Sequence, residues 1–368
     1  MSDNSLLYRI ALSNLAGVGD INARKLIHHL GGAEAVFREP YRNLVKIPGI
    51  GSKIAGHITS SSTLERAARE ISFIEKHGIG VSYFQDDDYP SRLRECPDSP
   101  ILIYYKGKLF SHPDKVLSIV GTRNATSRGK EICDSIISSL ASAHAGMVIV
   151  SGLAYGIDIV AHKSALKNNI PTIGIMAHGF GTLYPQVHTR VAREMLRDGA
   201  LMTDFLSDEP PDRNNFLKRN RIIAGISDAT LVIESGLRGG AMVTADIAVS
   251  YSRDVLAVPG FPGEKYSEGC NLLIKSNKAS LVEKAEDVEY FLGWEKAEAS
   301  PTQPLLFNDL SPLEQDIMNL LSQHIQLTAD SIGELLDTPV QRLSSALLSL
   351  QFSGHLRSLP GNIYRVRI

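Results

Sequence analysis

The sequence is short of the features that announce a disulfide-stapled, metal-bound or membrane-spanning protein. Its three cysteines, Cys96, Cys133 and Cys270, are odd in number and scattered. None has metal-ligand spacing, so neither a disulfide framework nor a zinc site is expected. Charge of one sign is also missing: 38 Lys+Arg against 40 Asp+Glu leave a formal net charge of −2. No whole-chain positive field points to nucleic acid, and such a partner has to be argued from local patches. The most apolar stretch, Met147 to Ala161, contains Asp158 and falls short of the ~20 residues of a spanning helix. The opening MSDNSLLYRIAL carries Asp3 where a secretory signal carries Lys or Arg. A cytoplasmic location without membrane contact is therefore expected.

One nucleotide motif is missing too. GTRNATSRGK (121–130) superficially suggests a P-loop, but seven residues separate its glycines and Glu131 follows the lysine. A Walker A motif needs Ser or Thr there, which argues against a P-loop ATPase, motor or recombinase.

What is present is ordinary globular material. The 368 residues are 43% hydrophobic and 21% charged, enough for two or three domains at ~100–200 residues each. Residues 1–80 read as helical with Gly-containing turns. Within 81–294, six apolar, β-branched runs alternate with helical stretches: VLSIVG (116–121), MVIVSG (147–152), TIGIMAHG (172–179), ALMTDF (200–205), ATLVIES (229–235) and DVLAVPG (254–260). Between the first two, Ile132, Ile136 and Leu140 share a helix face. This alternation predicts βαβ units and an α/β, doubly wound parallel sheet. A polar segment, residues 295–309, reads as a linker. Residues 310–368 give three helices and an ending in which Gly354 and Gly361 bracket wing strands.

Two N-terminal segments, LAGVGDINARKLI (15–27) and IPGIGSKIAGHI (47–58), share Gly-apolar-Gly followed by a helical pattern. This is a helix-hairpin-helix signature. Paired glycines let backbone N–H groups approach a phosphate oxygen at a helix start, with Lys25 and Lys53 adding charge. The alternative is that they only make tight turns in a packing domain.

In open α/β sheets, ligands bind beyond the carboxyl ends of the strands, and the chemistry-bearing residues recur there. After the first run, Gly121, Thr122, Arg123 and Ser127 combine a sharp exit, hydroxyls and a guanidinium fork at a helix start, an anion site in composition. After the second, Ser151 and Gly152 open a loop where Asp158 and His162 stand four apart on one helix face. They read either as an acid–base pair or as a buried acceptor bracing the histidine; no nucleophile or metal set accompanies them, which favours the second. AHGFGTLYP (177–185) carries Gly179 and Gly181 but no third glycine, only part of a dinucleotide fingerprint. DRNNFLKRNRIIAGIS (212–227) concentrates Arg213, Lys218, Arg219 and Arg221 beside Phe216, with Asn220 among them. Cations for the backbone and an aromatic for a base face are how single strands are held without sequence readout. Arg219 and Arg221 are two apart and point differently on a helix, so at most one is expected on the ligand. Finally, Ser235, Gly239, Gly240 and Thr244 surround another phosphate-ready helix start, where Glu234 either meets a ribose hydroxyl or caps N–H groups.

In order, SIVGTR, VSGLAYGID-x-x-AH, a Gly-Tyr-Pro loop, F-x-x-RNRIIAGIS, VIESG-x-x-GGA-x-x-TA and VLAVPG resemble the DprA/Smf DNA-processing family over about residues 80–290. The resemblance implies an extended Rossmann-like domain that binds single-stranded DNA, forms a homodimer and loads RecA on incoming DNA during natural transformation. Single-strand-binding protein is a further implied partner; no cofactor is implied. Carried residue by residue, the family's contacts fall on Gly121, Thr122, Arg123, Ser151, Gly152, Phe216, Arg219, Asn220 and Arg221. Leu217, Thr203-Asp204 and His178 depart from the family's usual residues. The N-terminal hairpins fit an optional SAM-like flank, and residues 310–368 resemble a winged helix. In that last region Glu314, Asp316, Asp330, Glu334 and Asp337 outnumber Arg342, Arg357, Arg365 and Arg367. A duplex-reading helix needs a positive face, so a protein-contact or weak accessory role is expected there.

The leading expectation is thus a non-enzymatic single-stranded DNA mediator that protects incoming DNA. A nucleotide-binding or nucleotide-hydrolysing enzyme of the broader Rossmann-like superfamily, using Asp158, His162 and Glu234, is the alternative, because fold alone does not decide function. A protein-interaction scaffold is the third.

Overall fold

The computed structural model describes residues 3–294, 310–322, 324, 327–353, 355–359 and 362–366. The expected linker 295–309, the wing glycines Gly354 and Gly361, and Arg367 lie outside the described residues. The chain divides into two compact units, Met1–Glu298 and Ala299–Ile368.

In the first unit all six apolar runs become strands: β3 (Val116–Val120), β4 (Val148–Ser151), β5 (Thr172–Ile175), β6 (Ala200–Thr203), β7 (Ala229–Val232) and β8 (Asp254–Ala257). They are parallel, and each ends before its Gly- or Ser-containing exit. Three strands were not expected from the sequence: β1 (Gly80–Tyr83), β2 (Leu102–Gly107) and the two-residue β9 (Ser280–Leu281). The sheet order is β1-β2-β6-β5-β4-β3-β7-β8-β9, with β1 and β2 antiparallel at one edge.

Side chains alternate across the central strands, as a period of two requires. Val116, Val120, Val148 and Val150 feed one core; Leu117, Ile119 and Ile149 feed the other, with Ile136 and Leu140 of the helix Ser127–Ala143. Apolar burial on both faces explains why these strands read as continuous hydrophobic runs.

Residues 3–77 form six helices, from Asp3–Ser13 to Ser61–His77. Their apolar faces (Ile10, Leu26, Leu44, Ile58) share a core with Tyr83, Leu102 and Tyr104 of β1 and β2. The antiparallel edge is thereby covered, the usual protection for unpaired strand groups.

The second unit packs three helices, Pro312–Ser322, Ala329–Leu335 and Val340–Phe352, around Ile317, Leu321, Ile332, Leu343, Leu347 and Leu350. A small antiparallel sheet, β10 (Leu327–Thr328), β11 (Leu356–Leu359) and β12 (Ile363–Val366), completes a winged helix. Ser311 begins its first helix with a reciprocal cap: its N–H and hydroxyl both donate to Glu314 at 2.8 and 2.7 Å.

Candidate nucleic-acid interface

The parallel strands run outward in chain order from β3 to β6 on one side and from β7 to β8 on the other. The order therefore reverses between β3 and β7, the place where open α/β sheets bind ligands. Two loops meet there, 121–126 after β3 and 233–239 after β7. The Thr122 N–H donates to the Glu234 carbonyl at 2.7 Å, and the Thr126 N–H donates to the Glu234 carboxylate at 2.9 Å. The Thr126 hydroxyl donates to the same carboxylate and accepts from the Gly129 N–H at 3.0 Å. A Cβ on Gly129 would overlap the Glu234 carboxylate, so glycine is what lets that anion reach the helix start. At the helix start expected to hold a phosphate near Ser127, the chain's own carboxylate is thus held by the Thr126 N–H and hydroxyl, while the Ser127 side chain stays exposed.

Arg123 leaves this loop into solvent. Its guanidinium lies 4.8 Å above the ring of Phe216, and Tyr184 meets the same ring edge-on at 6.1 Å. Phe216 sits in the first turns of the helix Arg213–Gly225, which Asp212 caps by accepting from the Asn214 N–H at 2.8 Å. Exposed Lys218 pairs with Asp204 at 3.4 Å and lies 5.0 Å over Phe205. Exposed Tyr155, not singled out from the sequence, stands edge-on to His188 at 5.1 Å. Arg123, Phe216 and Tyr184 therefore meet at the β3 exit, while Lys218, two residues past Phe216 on the helix, lies by Asp204 and Phe205 after β6.

The remaining expected contacts divide sharply by burial. Arg219 is 3% exposed, and one of its terminal nitrogens donates to the carbonyls of Gly152 (2.7 Å) and Ile175. A Cβ on Gly152 would overlap that guanidinium and approach Asp158. Burial pushes Arg219 down to about 10 and Asp158 above the usual carboxylate range; each charge partly offsets the other's shift. Arg221 is 8% exposed and holds Asp204 and Asp20, both at 2.8 Å, and the Asp98 carbonyl. Burial opposes its charge, but the two carboxylates outweigh that and hold its pKa above the ordinary value. Asp204 is buried too, yet Lys218 and Arg221 hold it ionised below its usual range.

Asn220 is buried and donates to the Gly240 carbonyl at 3.3 Å. Ser151 is buried and donates to Ile119 O at 2.6 Å; Thr244 is buried and donates to Gly240 O at 3.1 Å. Ser235 is buried and donates to its neighbour's carbonyl at 2.9 Å. Gly121, Thr122 and Gly239 are half-buried, whereas Gly240 is exposed. The structure thus brings exposed Arg123 against half-buried Phe216 and leaves Lys218 exposed on the same helix. It turns Arg219, Asn220 and Arg221 inward.

The acid–base pair weighed from the sequence is sealed. His162 is fully buried, its Nδ1 2.7 Å from the Thr172 hydroxyl, and burial pushes its pKa down to about 3. Asp158 accepts from the Ala154 N–H at 3.4 Å.

The two N-terminal hairpins differ in use. In the first, Asp20 accepts from the Ile101 N–H at 2.9 Å and pairs with Arg221, so its turn docks on the sheet. In the second, Gly49, Gly51 and Lys53 remain exposed. Among the described residues, no group of three or more His, Cys, Asp or Glu side chains is placed to hold a metal ion. No described helix is long and apolar enough to cross a membrane.

Comparison with known proteins bears on this surface. A family model described as DNA recombination-mediator protein A matches residues 80–293, and one for the DprA winged helix domain matches residues 297–362. Protein Smf of Escherichia coli is 34% identical over 326 residues, covering 83% of this chain and 85% of its own. The DNA processing protein DprA of Streptococcus pneumoniae is 36% identical over 203 residues, 55% of this chain and 71% of its own. The X-ray structure of the pneumococcal protein matches with a TM-score of 0.63 at 28% identity, covering 78% of this chain and 97% of that one. DNA processing protein A from Helicobacter pylori, described for its single-stranded DNA binding mode, matches with a TM-score of 0.53 at 26% identity, over 59% and 97%.

Proposed function

Because the chain belongs to the DprA/Smf family of DNA recombination mediators, we propose that it holds single-stranded DNA along the rim formed by Arg123, Phe216, Tyr184 and Lys218. The observation that carries the reading is the exposed Arg123 guanidinium stacked 4.8 Å over Phe216 at the β3 exit. A cation that neutralises phosphate stands against a ring that stacks an unpaired base, the combination that binds single strands without reading sequence. Gly121, Thr122 and Gly240 let the backbone approach the strand, and Ser127 is an exposed hydroxyl beside it. Arg219, Asn220 and Arg221 support this rim from beneath, with Ser151, Gly152, Ser235, Gly239 and Thr244 shaping its loops. Held this way the strand is protected and presented to RecA, as in natural transformation, by a cytoplasmic homodimer that also meets single-strand-binding protein. Three domains carry these roles: the helices of residues 1–80, the sheet of 81–294 and the winged helix of 310–368, which takes the protein-contact role.

The nucleotide-enzyme alternative has less support. Glu234, which it would use, is engaged at the helix start, and Asp158 and His162 are buried. Equilibrium binding to single-stranded and duplex oligonucleotides across a salt series tests the proposal. Single strands bind more tightly, with a log–log salt slope of about −0.7 per phosphate neutralised. Equal affinity for the two forms, or release of free base from nucleotides, contradicts it.

A further inference from the structure

Across the β3 exit from Phe216 lies a second pairing of exposed ring and cation. Phe261, in the loop after β8, is 58% exposed, and the Arg128 guanidinium lies 4.6 Å over its ring. A ring this exposed gains little from burial. Nearby, Lys265 stands 5.5 Å from the ring of Tyr266. The loop is tied to the rim at two points. The Asn124 side chain donates to the Tyr266 hydroxyl at 3.2 Å, one residue past Arg123, and the Ser235 N–H donates to the Tyr266 carbonyl at 2.7 Å. The exits of β3, β7 and β8 are thus stitched into one edge. β8 stands two strands from β3, about 10 Å at the usual strand spacing.

We propose that Phe261 and Arg128 form a second station for an unpaired base and its phosphate. The DNA strand then runs from Phe216 and Tyr184, over Arg123, to the β8 loop. Glu234, at the β7 exit between those of β3 and β8, accepts from the Thr126 N–H and hydroxyl but keeps its negative charge, so a phosphate is turned away from the crevice and passes over that point on the flanking cations. The inference rests on the single-strand reading of the rim and adds its length and direction: bases stack at two places, and an oligonucleotide must be long enough to reach both.

The test compares oligothymidylates of about 4 and about 12 nucleotides, within the range of known single-strand site sizes. Wild type gains affinity with length, and Phe261→Ala weakens the longer oligonucleotide about tenfold, the value of one lost base stack. Phe261→Trp keeps that affinity, and its indole fluorescence is quenched by the longer oligonucleotide; the natural Trp294 is buried and serves as background. Phe261 is exposed, so these variants fold. If Phe261→Ala binds the longer oligonucleotide like wild type while Arg123→Ala weakens it, the second station is overturned and the rim stands. If neither variant weakens binding, both readings fall.

Discussion

The Glu234 carboxylate accepts a hydrogen bond from the Thr126 N–H at 2.9 Å, so the helix start at the sheet's switch point is already occupied by an anion. Helix N-termini attract negative charge through their free N–H groups and aligned dipoles. Here an internal carboxylate satisfies that attraction. If the rim holds DNA as proposed, the helix start after β3 then offers no vacant phosphate cradle, and Arg123 is the cation expected to meet the strand there.

Removing this internal anion separates two effects. Glu234→Ala leaves the Thr126 N–H without its acceptor and costs about 1–2 kcal/mol of stability, read by urea unfolding. Glu234→Gln retains an acceptor and sheds one negative charge close to the rim. At low salt it raises single-strand affinity about twofold by anisotropy, with the gain fading as salt is added.

Arg219 is a brace, and its variants report on folding. Arg219→Ala strips the Gly152 and Ile175 carbonyls of their donor and leaves Asp158 buried without its counter-charge. The expected loss is about 3–5 kcal/mol. Arg219→Lys does not restore it, because one ammonium cannot reproduce the guanidinium fork. Denaturant unfolding of the three proteins checks this, and any loss of DNA binding should follow the unfolded fraction.

Phe216 behaves in the opposite way. It is half-buried at a helix start, and truncation removes a stacking face more than a core residue. Phe216→Ala weakens oligothymidylate binding about tenfold while shifting the unfolding midpoint little; Phe216→Tyr retains both. Parallel titration and unfolding measurements tell the two apart.

Acid sensitivity follows from the buried histidine. Burial favours neutral His162, with smaller contributions from His188 and Arg219, and lowers its pKa to about 3; the unfolded value is about 6.5. Between these values the unfolded chain binds the extra proton. The stability due to neutral His162 is therefore complete above about pH 6.5 and is lost progressively as pH falls toward 3, at no more than about 1.4 kcal/mol per unit. From pH 7 to pH 5 the wild type should lose ~2 kcal/mol through this group, and His162→Gln should flatten that slope in urea unfolding at pH 7, 6 and 5.

The strands of the central sheet were legible because burial on both faces forces continuous apolar runs, as in Val116–Val120. The edge strands β1 and β2 were not: Gly80 and Val81 are half-buried and Lys106 and Gly107 exposed, so their pattern breaks. In the basic segment, residue types alone did not say which cations face solvent. A signal for Arg219 was present, since it shares the spacing i, i+3, i+4, i+7 with Ile222, Ile223 and Ile226, the buried stripe of its helix. Arg221 carried no such signal. Its carboxylate partners include Asp20, some two hundred residues earlier, and only the docking of the first hairpin brings them together. Tyr155 and Phe261 were invisible for the converse reason: an isolated aromatic in a loop reads as packing until its exposure is known.

Whether Arg123 neutralises a phosphate of the bound strand is read from oligothymidylate binding to wild type and Arg123→Ala across a salt series. The Arg123 side chain is exposed and its removal should leave unfolding unchanged. Arg123→Ala should bind more weakly, with a salt slope shallower by about 0.7, one phosphate contact. An Arg123→Ala protein with wild-type affinity and wild-type slope would contradict it.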